Sequence, residues 1–426
     1  MQKLEHPNIG ESLYTSTLEN GLKINVVVKP GFSTRYAVFA TNYGGAHRRF
    51  TLDGKTVGSP AGVAHFLEHK MFDLPDGDNA LELLASNGAD PNAFTSSSET
   101  CYYFSCTQGF EENLRMLLHF VSTPYFTKET VEKEQGIIAQ EIRMGEDSPD
   151  NAVYYALLSQ LYRHHPVKDR VAGTVESIAQ IDHETLYACH KAFYAPSNMV
   201  LCVEGDVDPE RVEAIAKEVL PKALAPLPEA DFGPAEDLLP LESYHQQCME
   251  VSAPLFLIGS KIRAKDKGEE VLRQRLVSRL ALRMLCGPSS EFYTRLYDQG
   301  LLDRNFDYDA DFCAGTGTVI LGGESKDPRA VLKELGKAVE KVRAEGLDEA
   351  DFQRCKRSSL GARLRGLEDF ENVCVSLAMG LFDGYCAFDS LEMLESITID
   401  ECQDFLLDAL APERLALSVV CGKEAL

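Results

Sequence analysis

The spacing of apolar positions changes period several times along the chain. Leu22 to Val28 and Thr34 to Tyr43 are β-rich runs that predict strands, parted by the turn signal Lys29-Pro30-Gly31. From about Gly62 to Phe72 a helix is expected, and a second short helix ends near Asn87-Gly88. Pro91 to Ser97 and Glu99 to Ser105 predict two strands joined by a serine-rich turn. Gly109 to Val121 and Lys128 to Gly145 carry apolar residues near the helical period, the second opening on the capping context Thr127-Lys-Glu-Thr-Val-Glu. A helix over Leu186 to Tyr194 and a strand over Asn198 to Gly205 complete this half.

The stretch Pro221 to Ser243 breaks the pattern with five prolines and several acids, and reads as a linker. Beyond it, Gln247 to Ile262 predicts one strand, and a helix follows from Glu269 to Cys286, stopped by Gly287-Pro288. Thr316 to Gly323 predicts a strand and Pro328 to Glu345 a helix. Strands mixed irregularly with helices on both sides of the linker indicate an α+β class rather than alternating α/β. The expected division is a domain over residues 1–220, a linker over 221–245 and a second domain over 246–426. No short repeat or low-complexity segment interrupts it.

Composition narrows the function more than the fold. A formal net charge of -24 over 426 residues argues against nucleic-acid or anionic-membrane partners, which need a basic surface, and suits basic or neutral peptides. No apolar run approaches the roughly 20 residues that span a bilayer, and the start MQKLEHPNIG lacks the features of a secretory signal. Twelve scattered cysteines form no CxxC pair, so a cytoplasmic location with reduced thiols is expected. Cys101 and Cys106, at odd separation on one strand, should face opposite sides of a sheet and so do not make a ligand pair.

The chemistry-bearing segment is His65-Phe-Leu-Glu-His69. On a helix, positions i, i+3 and i+4 share one face, so two imidazoles and a carboxylate stand together within one turn. Neutral imidazoles suit zinc, and a carboxylate beside the metal but not on it can accept a proton from water. The order is the inverse of His-Glu-x-x-His. Chance would produce it in about one such chain in fifty, and a solvated helix face with a salt-bridging glutamate is the alternative. A catalytic zinc site needs a third protein ligand. Glu134 and Glu141, seven apart on a helix, share a face, but by spacing alone such a pair is usually a solvated charge face.

Together, His65-Phe-Leu-Glu-His69 and Glu134-Gln-Gly-Ile-Ile-Ala-Gln-Glu141 resemble the HxxEH and ExxxxxxE motifs of the pitrilysin/insulinase family of zinc peptidases. The resemblance implies Zn2+ held by His65, His69 and Glu141, Glu68 as general base, and Glu134 orienting a histidine ligand. Asn92-Ala-Phe-Thr-Ser96, followed by Glu99-Thr-Cys-Tyr-Tyr103, is similar to the family's strand pair beside the zinc. Asn92, Ala93, Phe94 and Thr95 would then accept the substrate backbone as an added strand. Ala172-Gly-Thr-Val-Glu-Ser-Ile178 and Tyr194-Ala-Pro-Ser-Asn198 extend the likeness.

A two-domain chain of this length is similar to the short branch that includes the mitochondrial processing peptidase subunits. That branch implies two similar domains, each an antiparallel sheet packed with helices on one face, and two chains enclosing a chamber. One departure stands out. Where many members carry an arginine and a tyrosine that hold the substrate carbonyl, this chain has Gln299 and Asp303, with Arg295, Tyr297, Arg304 and Tyr308 nearby. The expectation is a zinc metalloendopeptidase for short or unfolded peptides, paired as a heterodimer with a paralogous zinc-free subunit, a homodimer being the other arrangement. The alternative function is a non-catalytic peptide-binding or assembly subunit.

Overall fold

The computed structural model describes residues 1–422. It opens with strands β1 (Gln2–His6), β2 (Glu11–Thr17), β3 (Lys23–Val28) and β4 (Arg35–Thr41), then a ribbon of β5 (Arg49–Leu52) and β6 (Lys55–Gly58). Helices α1 (Val63–Lys70) and α2 (Ala80–Ser86) precede the hairpin β7 (Ala89–Thr95) and β8 (Thr100–Cys106). Helices α3 (Phe110–Ser122), α4 (Lys128–Glu146), α5 (Pro149–Leu161), α6 (Val175–Ile178) and α7 (His183–Phe193) lead to β9 (Met199–Gly205), α8 (Pro209–Val219) and the short β10 (Glu229–Ala230). Then come β11 (Tyr244–Cys248), β12 (Leu255–Ile262), α9 (Glu269–Cys286), α10 (Glu291–Asp298), β13 (Asp307–Cys313) and β14 (Thr316–Glu324). The chain continues through α11 (Pro328–Glu345), α12 (Glu349–Gly366), α13 (Phe370–Asp383), α14 (Ser390–Ser396) and α15 (Ile399–Ala409) to β15 (Ala416–Cys421). The single strand expected over Gln247 to Ile262 is two strands. Pro254 lies between them, and β11 and β12 flank β15, one parallel and one antiparallel.

Two compact units divide the chain, and each takes a segment from the far side of the linker. The first comprises 1–142, 169–232 and 364–388; the second comprises 143–168, 233–363 and the residues from 389 on. The expected linker contains one crossing, between Phe232 and Gly233. A linear cut into 1–220 and 246–426 nevertheless misassigns α5, which groups with the second unit, and α13, which groups with the first. Each sheet has two apolar faces, and helices adjacent in sequence do not cover both.

The seven-stranded sheet of the first unit has the order β1-β2-β3-β9-β4-β8-β7 and is antiparallel except between β3 and β9. Its strands alternate strictly, as a period of two requires when both faces are covered. Ala37, Phe39, Leu201, Val203, Tyr102 and Phe104 bury into a core shared with α1, α3, α7 and α8. Their neighbours Tyr36, Val38, Ala40, Val200, Cys202 and Cys101 bury against Phe370, Val373, Cys374 and Leu377 of α13. Cys106 belongs to the first set, so it and Cys101 do face opposite sides. Fully burying one such side chain contributes about 1.5–3 kcal/mol, so uncovering the α13 face would cost the fold heavily.

The second unit holds the sheet β11-β15-β12-β14-β13, antiparallel except between β11 and β15. Leu157, Leu158 and Leu161 of α5 pack on it with Tyr162 and Ala416. Gly259 of β12 lets that helix approach, because a Cβ there would stand 2.7 Å from a methyl of Leu157. None of the described helices is long and apolar enough to cross a membrane.

Candidate metal centre

Helix α1 is amphipathic on a short scale. Val63, Ala64, Phe66 and Leu67 are buried in the core beneath the sheet, which leaves His65, Glu68 and His69 on the remaining face. Its start is fixed by close backbone packing. Gly62 has φ of 96°, and a Cβ there would lie 2.6 Å from the Ala172 carbonyl oxygen; a Cβ at Gly173 would lie 2.5 Å from that of Ala61. Only glycine fits such reciprocal contacts. The Ser177 hydroxyl then donates to the Ala61 carbonyl at 2.8 Å, so the segment Ala172 to Ile178 is the seat of α1.

Helix α4 lies beside it. The Thr127 hydroxyl accepts from the Thr130 amide at 3.2 Å, capping the helix as its sequence suggested. Val131, Ile138 and Ile142 are buried, and Glu134 and Glu141 lie along α4 where they reach α1. Lys70, almost fully buried at the end of α1, pairs with Asp73 and reaches the Thr130 carbonyl at 3.4 Å, tying the two helices together.

The structure brings four of the expected residues to one point. Glu141 faces both imidazoles, its carboxylate oxygens 3.4 Å from His65 Nε2 and 3.5 Å from His69 Nε2. One ligand atom from each of the three residues lies within 4.8 Å of the others. Zinc bonds of about 2.0–2.2 Å in a tetrahedron place neighbouring ligands about 3.4 Å apart, so these separations fit a two-nitrogen, one-oxygen zinc set. Glu134 Oε1 stands 3.0 Å from His69 Nδ1, leaving Nε2 of that ring for a metal. His65 Nδ1 is buried without a hydrogen-bond partner, so only the His69 ring is oriented in this way.

Charge follows geometry. Burial alone would lower the His69 pKa, but Glu134, Glu141 and Glu68 together raise it above the ordinary value. Glu141 is lowered chiefly by its contact with His65, with His69 adding to it. Burial pushes the Glu134 carboxyl up, and the bond to His69 more than reverses that, leaving it lowered.

Glu68 stays outside the ligand set, and the Thr95 hydroxyl donates to its Oε2. The Thr100 hydroxyl in turn donates to the Tyr43 carbonyl at 2.9 Å, with the Thr95 oxygen 3.3 Å from it. Sequence reasoning placed Thr95 on the strand but missed this second role, for which the sequence carries no signal. Asn92, Ala93, Phe94 and Thr95 lie on β7, the free edge of the sheet. The Ala93 amide donates to the Asn92 carboxamide oxygen at 2.9 Å rather than to β8, so it faces outward. Pro91, which has no N–H, shares that outward parity.

Farther along, the positions of the missing arginine and tyrosine serve the local turn. The Gln299 carbonyl accepts from Lys326 at 3.1 Å, and the Asp303 carboxylate accepts from the Asn305 amide at 2.9 Å. Arg295 pairs with Glu334, and Tyr297 stacks on Tyr293.

The profile described as Insulinase (Peptidase family M16) matches residues 59–175, a range that contains both helices of this centre, and that of the Peptidase M16 inactive domain matches residues 180–359. A Bacillus subtilis protein named uncharacterized zinc protease YmfH is 36% identical over 431 residues, covering 99% of this chain and 100% of its own. The chain belongs to the M16 insulinase family of peptidases. A second similar protein, the uncharacterized zinc protease Rv2782c of Mycobacterium tuberculosis, is 26% identical over 369 residues, covering 82% of this chain and 81% of its own. The crystal structure of an M16-like peptidase from Alicyclobacillus acidocaldarius matches with a TM-score of 0.92 and 33% identity, over 98% of this chain and 99% of that one. Pitrilysin shares the fold at 14% identity, with a TM-score of 0.78, over 97% of this chain and 45% of its own.

Proposed function

We propose that this M16 member is a zinc-dependent endopeptidase for short or unfolded peptides, with His65, His69 and Glu141 as ligands and Glu68 as general base. The convergence of three ligand atoms, with one carboxylate held just outside them, carries the proposal. When bound, zinc supplies Lewis acidity and makes water a nucleophile near neutral pH. Glu68 takes the proton of the attacking water and passes it to the leaving amine. Thr95 holds one oxygen of that carboxylate, which aims the other. Glu134 keeps His69 in the tautomer that leaves Nε2 free.

The peptide joins β7 as an added strand, its carbonyl replacing the Asn92 carboxamide as acceptor of the Ala93 amide. Gln299 and Asp303 leave the substrate carbonyl without the arginine and tyrosine of many relatives. That favours a working heterodimer in which a paralogous zinc-free subunit supplies them across a closed chamber, with a homodimer as the other arrangement. Buried cysteines such as Cys101, Cys202, Cys286 and Cys374 are free thiols, in keeping with the cytoplasm.

A peptide-binding or assembly subunit is the second reading, drawn from the match of residues 180–359 to the M16 inactive domain. The intact motif on α1 favours catalysis. The deciding experiment cleaves an unbiased peptide mixture with the purified chain, alone and with its paralogue, with and without chelator. Chelator-sensitive cleavage that is lost in Glu68→Gln is expected. Chelator-insensitive cleavage, or none with the paralogue present, would overturn the proposal.

A further inference from the structure

The face of β7 turned away from the metal borders a second cavity. About 500 Å³ of space opens beside Asp90 and Asn92, beneath β4 and β8 and at the start of α13, all within the first unit. Asp90, Glu368 and Glu371 are exposed around it, and none forms an ion pair among the described residues. Asp369, which also lines it, is engaged as the cap of α13, accepting from the Asn372 amide at 3.1 Å. The wall is aromatic: Tyr36 and Tyr103 lie 5.6 Å apart between ring centres, and Phe32 packs 5.5 Å from Phe370 while remaining 53% exposed.

Acidity alone would mean little in a chain this negative. Tyr36 adds an independent observation: its side chain lines the cavity, the residue is only 3% exposed, and its hydroxyl has no hydrogen-bond partner. A buried hydroxyl left unpaired costs about 1–3 kcal/mol, which a ligand's polar group would recover. Carboxylates at the rim, aromatic faces on the wall and an unpaired phenol at depth are the features that receive a guanidinium or ammonium.

The register says how such a group arrives. A peptide added to β7 sends alternate side chains to the two faces, and a residue paired with Asn92 or Asp90 points to the face those residues occupy. Counting along β7 from Thr95, which touches Glu68, those positions lie about three and five residues away. We propose that this cavity is a specificity pocket for an arginine or lysine side chain of the bound peptide, about three to five residues from the bond held at the metal centre. The proposal rests on the peptidase reading above.

The test uses a cleaved neutral peptide and versions carrying arginine, or its uncharged isostere citrulline, at each of those positions. At one position the arginine peptide is expected to show kcat/KM about tenfold above the citrulline one, a ratio typical of a partly desolvated charge-assisted contact. The double variant Glu368→Gln/Glu371→Gln and, separately, Tyr36→Phe bring that ratio near one and leave cleavage of the neutral peptide unchanged. Tyr36→Phe also keeps or raises Tm, which separates loss of recognition from loss of fold. Binding of labelled arginine and citrulline peptides to the Glu68→Gln protein runs in parallel. Equal treatment of the two peptides at every position, or a preference that survives both variants, overturns the pocket while the peptidase stands. Arginine-selective binding that the variants abolish, without zinc-dependent cleavage, keeps the pocket and overturns the peptidase; neither binding selectivity nor cleavage overturns both.

Discussion

Glu68, Glu134 and Glu141 share one neighbourhood, and their partners differ. Glu141 faces two imidazoles at metal-ligand spacing, Glu134 holds one of those rings, and Glu68 is held by a threonine. Glu68→Gln is expected to retain zinc and lose about 10²–10⁴ in kcat, read by metal analysis beside a peptide assay. Glu141→Ala should lose the metal instead, so adding zinc no longer raises its Tm. Glu134→Gln should weaken zinc binding by about 10–100-fold in a chelator competition. The pairing on α1 was legible because helical spacing is rigid. Glu141 was not legible from spacing, since a glutamate pair on an exposed face looks the same with or without a metal, and family likeness had to point to it. The bond from Thr95 to Glu68 joins residues 27 apart through a sheet, and no local pattern encodes it.

Glu204 offers a pH test away from this centre. It is fully buried on β9, with Lys29 at 3.4 Å, and burial pushes its pKa up to about 8. Between the ordinary carboxyl value of 4.5 and about 8, the folded chain keeps a proton that the unfolded chain has released. Stability contributed by this group is therefore full at low pH and falls as pH rises through that window. Glu204→Gln is expected to flatten this part of the curve of Tm against pH and to be the more stable protein at pH 8.

Among the elements, α1 depends on its seat more than on its own length, since eight residues cannot sustain a helix unaided. Gly173→Ala should drive a methyl into the Ala61 carbonyl at a position of positive φ, costing about 1–3 kcal/mol and lowering both Tm and zinc content. On β7, Ala93→Pro removes the outward donor and leaves the pairing with β8 in place. A fall of about tenfold in kcat/KM with zinc content unchanged is expected. The strands β3, β4, β8 and β9 were readable because burial on both faces makes them short continuous apolar and β-rich runs, and β7 because a serine-rich turn joins it to β8. Helices α5 and α13 escaped notice as docking elements, because what they cover lies far away in sequence, and the break at Pro254 was hidden inside a continuous β-rich run.

At the scale of the molecule, the α+β class followed from the irregular mixture of elements and the antiparallel pairing only from the family likeness, whereas the limits of the units followed from neither. A composition break reveals where chain is exposed, but it does not reveal which buried surface a distant helix completes. Residues 364–388 cover one face of a sheet whose last strand ends at Gly205, and that separation bears on how the protein is made. At about 5–20 residues per second, roughly 8–30 s pass on the ribosome between the emergence of residue 232 and that of residue 388. During that interval Leu13, Val27, Val38, Ala40 and Val200 form an uncovered apolar surface on a nascent chain. Such a surface is a ready binding site for a chaperone, and synthesis halted before α13 should yield a product that aggregates.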